Sequence, residues 1–419
     1  MEPLLFLSHR VPFPPNKGDK LRSYHLLRFL AGRYRIFLGT FDDNPDDEIE
    51  LASLRELCED CMVVDLHPGH ARLRSLVGLV TGEALTLPYY RDAALSSWVH
   101  SIVRRHRISK ALVFSSAMAQ YVEDLPALTR VVDFVDVDSQ KWVEYAKRRS
   151  WPLSLLYRRE GARLLAFDCS VAGWADASVF VTSAEATLFR RLAPTSSASV
   201  HVIRNGVDAH FFSPEHDLPS PFRASELPIV LTGAMDYWPN IDAAHWFAAE
   251  VLPLVRLVQP MVRFYVVGHR PVASLQALNG RDQVVVTGGV PDVRPYLKHA
   301  HLVVAPLRIA RGVQNKILEA MAMAKATVVS ETAARGIAVT AGAEVDVASG
   351  AEDYARKILA LLESPRALTM GRAARAKVLA EHDWRQNLSY IDELLMAPPT
   401  SLRGTEDPTD PVARSLTAV

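Results

Sequence analysis

Residues 303–330, VVAPLRIARGVQNKILEAMAMAKATVVS, concentrate polar side chains that are able to do chemistry. The cations Arg308, Arg311 and Lys316 stand close to the carboxylate Glu319 along the chain. Cations and the free N–H groups at a helix N-terminus bind phosphate, and a carboxylate one turn deeper can accept hydrogen bonds from sugar hydroxyls. The combination predicts a site for a nucleotide sugar.

The elements that must position these residues are a strand, a loop and a helix. Residues 303–305 form a short apolar strand that Pro306 ends, and an Ala/Met/Leu-rich helix follows the loop. By helical spacing one face carries Gly312, Asn315, Lys316 and Glu319, and the opposite face is apolar and can pack on a sheet. Spacing alone equally allows an ordinary surface helix, in which Lys316 and Glu319 form a solvated i, i+3 pair.

The motif GxxNKxxEAMA at 312–322 resembles the donor-site helix of the retaining glycosyltransferase family 4, which has the two-domain GT-B fold. Further segments are similar to that family in the same order along nearly the whole chain. They are LLFLSHRVPFPPNKGDKLRSYHLLRFLA at 4–31, VHVIRNGVDAHFFSP at 200–214, IVLTGAMDYWPNIDAAHWFAAEVLP at 229–253, FYVVGHRP at 264–271, VVVTGGVPDVRPYL at 284–297 and HDWRQNLSYIDELL at 382–395. The details RVPFPPNKGD, VDFVDVDSQKW and MDYWPN look most like the sugar transferases of PEP-CTERM/exosortase exopolysaccharide systems.

The resemblance implies a set of donor-binding residues. Gly233 and Gly268 each follow an apolar strand, where the absence of a Cβ lets the backbone approach a phosphate, although either glycine could equally mark a plain turn. The implied donor set is Gly233, Gly268, Val290, Gly312, Gln314, Asn315 and Glu319, with Val290 near the nucleotide base and Glu319 on the ribose. Arg311 and Lys316 would stabilise the departing diphosphate, and no metal is implied.

Arg311 departs from the family pattern. The family has a pair of glutamates eight positions apart, and Arg311 stands eight positions before Glu319. The carboxylate that approaches the transferred sugar is therefore missing, and an arginine there could instead hold the diphosphate.

The N-terminal segment holds candidates for the acceptor side. The loop PPNKGDK at 14–20 precedes a helix and offers an anion-friendly N-terminus, although it lacks the Walker spacing. By resemblance Lys17, Gly18 and Asp19 face the acceptor and the donor phosphates. His9, at the end of the first strand, is a further candidate, but a lone histidine is more often structural.

Three carboxylates cluster at the strand near residues 131–135. Asp133, Asp136 and Asp138 occupy a position that α/β folds use for chemistry. Asp136 or Asp138 could orient or deprotonate the acceptor hydroxyl, while helix N-capping by Asp138 or Ser139 is an equal alternative. Asp136-Val137-Asp138 also matches the metal motif of the other major glycosyltransferase fold, which would leave the 312–319 site and the two-domain layout unexplained.

Residues 141–167 are basic and carry aromatic and leucine side chains, a pattern typical of helices that lie on an anionic membrane surface. Core-packing helices with a solvated basic face are the favoured alternative. If the acceptor is lipid-linked, as the resemblance allows, a peripheral contact of this kind would bring the site to it.

Bulk composition limits the class of protein. The chain has 419 residues, a formal net charge of +0 and 49% hydrophobic residues, which fits a two-domain protein with large cores and gives no support for a nucleic-acid partner. No apolar run is long enough to span a membrane and no signal peptide is apparent, so we expect a cytoplasmic protein, at most associated with the inner face of the membrane. The three cysteines are too few for a disulfide framework.

Strand and helix patterns alternate from start to finish, which predicts an α/β protein with parallel sheets. The resemblance implies that these form the GT-B fold, two Rossmann-like domains facing a cleft. The predicted strands are 4–8, 35–40, 111–114, 131–135, 178–182, 200–203, 229–232, 263–267, 284–287, 302–305 and 327–330. The predicted domains are 1–210 for the acceptor, together with a crossing helix at 383–396, and 211–382 for the nucleotide sugar. A Pro/Ser/Thr-rich tail at 397–419 is expected to be disordered.

The sequence thus predicts a retaining hexosyltransferase that uses a nucleoside-diphosphate sugar as co-substrate and needs no cofactor. The acceptor is a sugar or lipid-linked glycan in exopolysaccharide biosynthesis. Two alternatives stay open: a nucleotide-sugar epimerase of the same fold, and a non-catalytic nucleotide-sugar-binding partner subunit.

Overall fold

A computed structural model describes residues 1–14, 18–43, 54–147, 149–310 and 312–397 of the chain. The chain divides into two units, each with its own sheet and its own core. Unit 1 comprises Met1–Phe180, Glu185–Ile203 and the residues from Leu388 onward, and unit 2 comprises Val181–Ala184 and Arg204–Asn387. Unit 1 therefore contains both ends of the chain, and the change to unit 2 lies a few residues before the expected boundary at 210/211.

The sheet of unit 1 has seven parallel strands in the order β3-β2-β1-β4-β5-β6-β7. The strands are β1 Glu2–Ser8, β2 Tyr34–Asp42, β3 Asp60–Asp65, β4 Lys110–Phe114, β5 Thr129–Val135, β6 Ala177–Phe180 and β7 Val200–Val202. Strand order reverses between β1 and β4. In a doubly wound sheet, that reversal marks the place where ligands bind, beyond the carboxyl ends of the strands.

The sheet of unit 2 repeats this arrangement with six parallel strands in the order β10-β9-β8-β11-β12-β13. The strands are β8 Leu227–Thr232, β9 Val262–Val267, β10 Val284–Gly288, β11 Leu302–Ala305, β12 Thr327–Ser330 and β13 Asp346–Ala348. The reversal here falls between β8 and β11. The predicted GT-B class, two Rossmann-like parallel-sheet domains, is confirmed.

Helices connect the strands of both sheets. In unit 1 they are α1 Gly18–Ala31, α2 Pro68–Ser75, α3 Val77–Thr81, α4 Thr86–Tyr89, α5 Ala93–His106, α6 Asp138–Lys147, α7 Leu153–Trp174 and, beginning in unit 2, α8 Ser183–Leu192, with 3-10 turns at Ser116–Tyr121 and Pro194–Ser199. In unit 2 they are α9 Trp238–Trp246, α10 Leu252–Val258, α11 Ala273–Gln276, α12 Arg294–His299, α13 Asn315–Ala322, α14 Glu331–Ala334, α15 Gly350–Leu362 and α16 Arg366–Glu381, with a π-helical turn at Phe247–Val251. The last helix, α17 Trp384–Met396, begins in unit 2 and ends in unit 1.

All the predicted strands are present, and two strands were missed. β3 was missed because its residues are half-buried at the edge of the sheet, without the continuous apolar run of a central strand. β13 was missed because its three residues are too few to show a period. Both lie at an outer edge of their sheets, away from the strand-order reversals.

The strands are buried because helices cover both faces of each sheet, which is why most of the central strands read as uninterrupted apolar runs. In β1, Leu4, Leu5, Phe6 and Leu7 are all fully buried, and β8 and β11 show the same pattern. Among the described residues, no helix combines the length and apolar character that crossing a lipid bilayer requires.

Candidate functional site

Two glycines at the ends of the neighbouring strands β8 and β9 are in direct backbone contact, beside the strand-order reversal of unit 2. Gly233 follows β8 with φ +150°, and its N–H donates to the carbonyl of Val267 over 3.1 Å. A Cβ on Gly268, which follows β9, would lie only 1.6 Å from the carbonyl oxygen of Gly233. No residue other than glycine fits at position 268, so the two strand ends present bare backbone at this edge.

Lys316 reaches this same backbone from α13. Its ammonium donates to Oδ1 of Asn240, whose Nδ2 donates to the carbonyl of Ala234 over 2.8 Å. A Cβ on Gly233 would lie 3.1 Å from Nζ of Lys316. The loop after β8, the start of α9 and α13 therefore place a cation against the exposed backbone of residues 233 and 234. Such a site suits a phosphate group.

Two opposing effects act on the pKa of Lys316. Desolvation by the surrounding protein lowers its pKa to about 8, although the nearby Glu319 carboxylate opposes that shift. An anion bound at the ammonium would favour its charged form.

Glu319 lies one turn further along α13 and is also desolvated. The loss of water raises the pKa of its carboxyl group to about 7, and Lys316 acts in the opposite direction. Its carboxylate has no hydrogen-bond partner among the residues that the structure describes. A carboxylate held in this way can accept hydrogen bonds from the hydroxyls of a ligand.

The helix begins later than the sequence predicts, which corrects the placement of Gly312 on the helical face. α13 starts at Asn315, with Gln314 as its N-cap in an extended conformation, so neither Gln314 nor Gly312 belongs to the helical face. Gly312 adopts φ +62°, and a Cβ on Gly336 would lie 2.0 Å from its carbonyl oxygen. Packing against the segment after α14 thus fixes a left-handed turn where the pattern predicted helix. Arg311 lies outside the described residues.

Asn315 is tied to a segment that the sequence analysis gave no role in the site. Nδ2 of Asn205 donates to Oδ1 of Asn315 over 3.4 Å, and the carbonyl of Asn205 lies 2.9 Å from Nδ1 of the buried His382. The next residue, Gly206, packs so closely on Trp384 that a Cβ would lie 2.7 Å from its ring and its backbone nitrogen. The Asn205-Gly206 pair of the 200–214 segment was the sequence feature that could have indicated this contact.

Arg308 is paired rather than free. Its guanidinium binds both oxygens of Asp242 on α9, with Nε 2.8 Å from Oδ2. The hydrogen bonds that Arg308 donates to this carboxylate raise the pKa of Arg308. The pair joins the loop after β11 to α9, so Arg308 acts on the shape of the loop and contributes little net positive charge to it.

The remaining donor candidate, Val290, lies beyond the end of β10. Gly288 has φ +70°, and its carbonyl accepts from the N–H of Gly268 over 3.2 Å. Val290 follows on this turn and packs against the buried cluster that contains Tyr265, Val267 and Leu297. The structure therefore places Gly233, Gly268, Val290, Asn315, Lys316 and Glu319 in unit 2, on the segments that follow β8, β9, β10 and β11.

In unit 1 the three carboxylates after β5 have different environments. Asp133 is completely buried and accepts from Nε of the equally buried Arg22 over 2.7 Å. Asp136 and Asp138 share the ammonium of Lys141, at 3.0 Å and 2.7 Å. Burial opposes the charge of Lys141, but the two carboxylates outweigh it and raise its pKa. Asp133 is therefore structural, whereas Asp136 and Asp138 form a polar cluster with Lys141.

Helix N-capping does not explain this cluster. α6 begins at Asp138 itself, and the fully buried hydroxyl of Ser139 has no hydrogen-bond partner among the described residues. Oδ1 of Asp136 likewise has none. The backbone before them is strained, because Val135 has φ +68°, a conformation that costs a β-branched residue energy and that recurs at functional sites.

Sequence reasoning missed Asp168, which the fold brings to the same region. It lies on α7, is 2% exposed and receives a hydrogen bond from Ser116, the second residue after β4. Burial raises the pKa of its carboxyl group to about 8, the Ser116 hydrogen bond lowers it, and repulsion from Asp138 adds to the rise. The position of Asp168 within a helix gave no sign of a role, since its electrostatic interaction with Asp138 depends on how α7 packs on α6.

The other acceptor candidates have a partial structural account. The ring of His9 stacks on Phe114 at a centroid distance of 5.8 Å and meets Tyr90 edge-on at 5.7 Å. Lys17 lies outside the described residues. Gly18 and Asp19 begin α1, and the side chain of Asp19 lies outside the described part of the chain. Within that part, no three His, Cys, Asp or Glu residues are grouped so that they could hold a metal ion.

Comparisons with known proteins agree with this geometry. Residues 226–364 match the family model described as glycosyl transferases group 1. That range contains β8 to β13 and all the donor candidates of unit 2. None of the curated proteins compared with the chain matches it.

Solved structures of similar fold cover nearly the whole of this chain. HepE from Anabaena, solved in complex with UDP-glucose, has a TM-score of 0.66 at 16% identity over 94% of this chain and 99% of that chain. Sucrose-phosphate synthase from Thermosynechococcus elongatus has a TM-score of 0.68 at 18% identity, covering 94% and 98%. WaaG, a glycosyltransferase involved in lipopolysaccharide biosynthesis, has a TM-score of 0.66 at 14% identity, covering 94% and 100%. At these identities the likeness shows the GT-B fold.

Proposed function

We propose that this chain is a retaining hexosyltransferase that moves a sugar from a nucleoside-diphosphate donor to the hydroxyl of a lipid-linked glycan in exopolysaccharide biosynthesis. The observation that carries the proposal is Lys316, whose ammonium lies against the glycine backbone at the strand-order reversal of unit 2, with Glu319 one turn away. The match of residues 226–364 to a glycosyltransferase family model supports the same assignment.

In this reaction the bond between the anomeric carbon and the diphosphate oxygen breaks, and the acceptor oxygen bonds to the same carbon on the same face. Negative charge develops on the departing diphosphate. Lys316 would stabilise that charge in place, which lowers the barrier without a metal ion. Glu319 would hold the ribose hydroxyls, and Asn315, Gln314 and Arg311 would hold the diphosphate or the sugar.

Asp136 and Asp138 are proposed to orient the acceptor hydroxyl rather than to remove its proton. The ammonium of Lys141 lies 3.0 Å from Asp136 and 2.7 Å from Asp138 and holds both carboxylates in place, which suits them to orient a hydroxyl. The proton of the acceptor would then pass to the departing diphosphate.

Removal of the Lys316 ammonium tests the proposal. Because Lys316 is assigned to the transition state, Lys316→Ala should lower kcat/KM for transfer by about tenfold or more, equivalent to about 1.4 kcal/mol per factor of ten. The matched control is Lys377→Ala, which removes a lysine of unit 2 that pairs with Glu381 on α16. Unchanged transfer in the Lys316 variant, with wild-type melting temperature, would contradict the assignment.

The donor must first be identified with a panel of nucleotide sugars, by thermal shift. A donor at a hundred times its Kd should stabilise the protein by about 2.7 kcal/mol. Incubation of that donor with and without an acceptor panel then separates the activities. Conversion of the donor sugar without acceptor would indicate an epimerase, and binding without any turnover would indicate a non-catalytic subunit.

A further inference from the structure

Two neighbouring segments of unit 1 expose large apolar side chains. The first comprises α2, Leu76 and α3, and the second is the residues that begin α7. Their exposed apolar residues are Leu73, Leu76, Val77, Leu79, Val80, Trp151, Leu153 and Leu155. Among the described residues of unit 1, the other large hydrophobic side chains with this degree of exposure are Met1, Tyr390 and Met396. We name the eight residues the apolar patch.

The first segment has its amphipathic pattern reversed. The buried residues of α2 and α3 are the small Ala71, Ser75 and Gly78, at helical spacing, whereas Val80 is 91% exposed. A helix that packs on its own domain normally turns its large apolar residues inward. Here the close packing of small residues holds the helices on the protein, and the large residues face away from it.

The segment is held firmly against α7. Arg159 donates to the carbonyl of Gly78 over 2.6 Å and to that of Glu83 over 3.2 Å. The buried Glu160 accepts from the N–H groups of Leu85 and Thr86 over 2.6 Å and 3.0 Å. Because Arg159 is one helical turn from Leu155, these contacts bring the two halves of the apolar patch side by side.

The charge around the patch is mainly basic, and the carboxylate of Glu83 at the end of the first segment is paired with Arg91. Residues 66–82 contain Arg72 and Arg74 and no acidic residue. Residues 147–159 also contain no acidic residue, and their basic residues are Lys147, Arg148, Arg149, Arg158 and Arg159. The whole chain has a formal net charge of +0, so the basic residues are concentrated here. An exposed tryptophan, exposed aliphatic side chains and a basic surround are the features of a surface that lies in the interface of an anionic bilayer.

We propose that the apolar patch docks unit 1 on an anionic lipid membrane. Only the benefit of this docking rests on the proposed function, since docking would bring the protein to a lipid-linked acceptor. Charge complementarity selects this occupant over a second copy of the chain, because two copies of the patch would bring like charges together.

The test is co-sedimentation of the full chain with vesicles of phosphatidylcholine, with and without phosphatidylglycerol, at low and high salt. We expect binding to the vesicles that contain phosphatidylglycerol, and weaker binding at high salt. Val80→Glu and Trp151→Glu should each lower the partition coefficient about tenfold, since each replaces a buried apolar contact in the bilayer with a charge.

The matched control is Leu257→Glu, because Leu257 is 82% exposed on α10 of unit 2 and lies outside the patch. It should bind vesicles as the wild type does. Equal binding by all three variants, or no preference for phosphatidylglycerol, would overturn the proposal. So would a dimer of the wild type that Val80→Glu dissociates, because a second copy would then cover the patch.

The vesicle assay contains no nucleotide and no acceptor, so it is independent of the proposed activity. UDP binding to the same variants, measured by calorimetry, keeps the two questions apart. Loss of vesicle binding with UDP binding retained supports the docking surface. Vesicle binding without any nucleotide binding would sink the proposed function and leave the docking surface standing.

Discussion

Lys316 and Glu319 both titrate near neutral pH because the surrounding protein disfavours both charged forms. The pKa of Lys316 falls to about 8 and that of Glu319 rises to about 7, each through desolvation. Their mutual attraction only partly offsets this loss of water. Perturbed pKa values of opposite sign on one helical turn are typical of binding and catalytic sites.

These pKa values predict a pH dependence for binding of the nucleoside diphosphate that the proposed function requires, with UDP as the probe. As pH rises through about 8, Lys316 loses its proton and its attraction for phosphate, whereas an unperturbed lysine would keep it to about 10.4. As pH falls through about 7, Glu319 gains a proton and accepts ribose hydroxyls less well. Affinity should therefore be highest between these values and fall on both sides.

Isothermal titration calorimetry with UDP across this range measures both limbs. Lys316→Arg should remove the alkaline limb, because arginine stays charged, and should leave the acid limb in place. Glu319→Gln should do the reverse. An alkaline limb that persists unchanged in the arginine variant would assign it to another group.

At the residue scale the sequence led to candidate side chains in unit 2, but to few of the partners that they contact. Lys316 and Glu319 could be selected because they share a helical motif. Asn240, Asp242 and Asn205 could not, since each reaches its partner from a distant segment: Asn240 contacts Lys316 and Asp242 contacts Arg308. Contacts between segments far apart in the chain depend on strand order, and spacing along one helix carries no information about them.

At the scale of the elements, the ends of β8 and β9 are joined by backbone contact rather than by side chains. The 1.6 Å approach that a Cβ on Gly268 would make to the carbonyl of Gly233 cannot be relieved by a rotamer change, because both partners are backbone. One strand end must move if that Cβ is added. The same movement would shift the backbone that faces Lys316.

We predict that Gly268→Ala destabilises unit 2 by about 1–3 kcal/mol or more and weakens UDP binding. Gly289→Ala is the matched control on the neighbouring turn, because its Cβ would meet only the side chain and backbone of His269, at 3.5 Å and 3.7 Å. Denaturant unfolding and UDP titration of both variants measure the difference. Equal stability of the two variants would show that the strand ends move apart without cost.

The ion pair of Arg22 and Asp133 joins α1 to β5 inside unit 1. Both side chains are fully buried, and burial raises the pKa of Asp133 although Arg22 opposes that shift. Removing the arginine would leave a buried carboxylate with no counter-charge.

We predict that Arg22→Met destabilises unit 1 by about 3–5 kcal/mol at neutral pH. A carboxyl group whose folded pKa is raised destabilises the fold above that pKa, so the loss should shrink as pH falls and Asp133 is protonated. Urea unfolding at several pH values measures it. The double variant Arg22→Met/Asp133→Asn should recover much of the stability, and a double variant no more stable than the single one would contradict the account.

The start of α13 shows why element boundaries were harder to predict than elements. The apolar face of residues 313–321 predicted a helix, and its core is helical. Its first turn was predicted at Gly312, but Gly336 packs on that carbonyl and holds Gly312 at φ +62°. The contact comes from the segment after β12, so no local pattern could reveal it.

At the scale of the whole molecule, unit 1 is completed by the end of the chain. Leu388, Ile391 and Leu395 of α17 are almost completely buried, and Asp392 accepts from the hydroxyl of Tyr34 over 2.6 Å. Residues from opposite ends of the chain therefore share one core.

We predict that Ile391→Ala destabilises unit 1 by about 2–5 kcal/mol, because it leaves a cavity in that core. Met396→Ala, on the same helix but 68% exposed, should have almost no effect. Hydrogen exchange of β1 and β2 measures the loss locally, and UDP affinity should be unchanged in both variants. Equal protection of β1 in the two variants would argue against a shared core.

The overall class could be predicted because alternation of strand and helix persists over the entire chain, and such a long signal tolerates local errors. The edge strands β3 and β13 could not, because edge strands are partly exposed or very short and lose the apolar pattern. Asp168 was missed for a related reason, since its burial follows from helix packing.

The return of the chain to unit 1 has a consequence for synthesis on the ribosome. Every residue of unit 2 is made before Leu388, whereas the core of unit 1 lacks Leu388, Ile391 and Leu395 until the last helix emerges. We therefore expect unit 2 to finish folding first, although most of unit 1 is translated earlier. Unit 1 would then stay incomplete, with part of its apolar surface uncovered, until the last helix is available to pack on it.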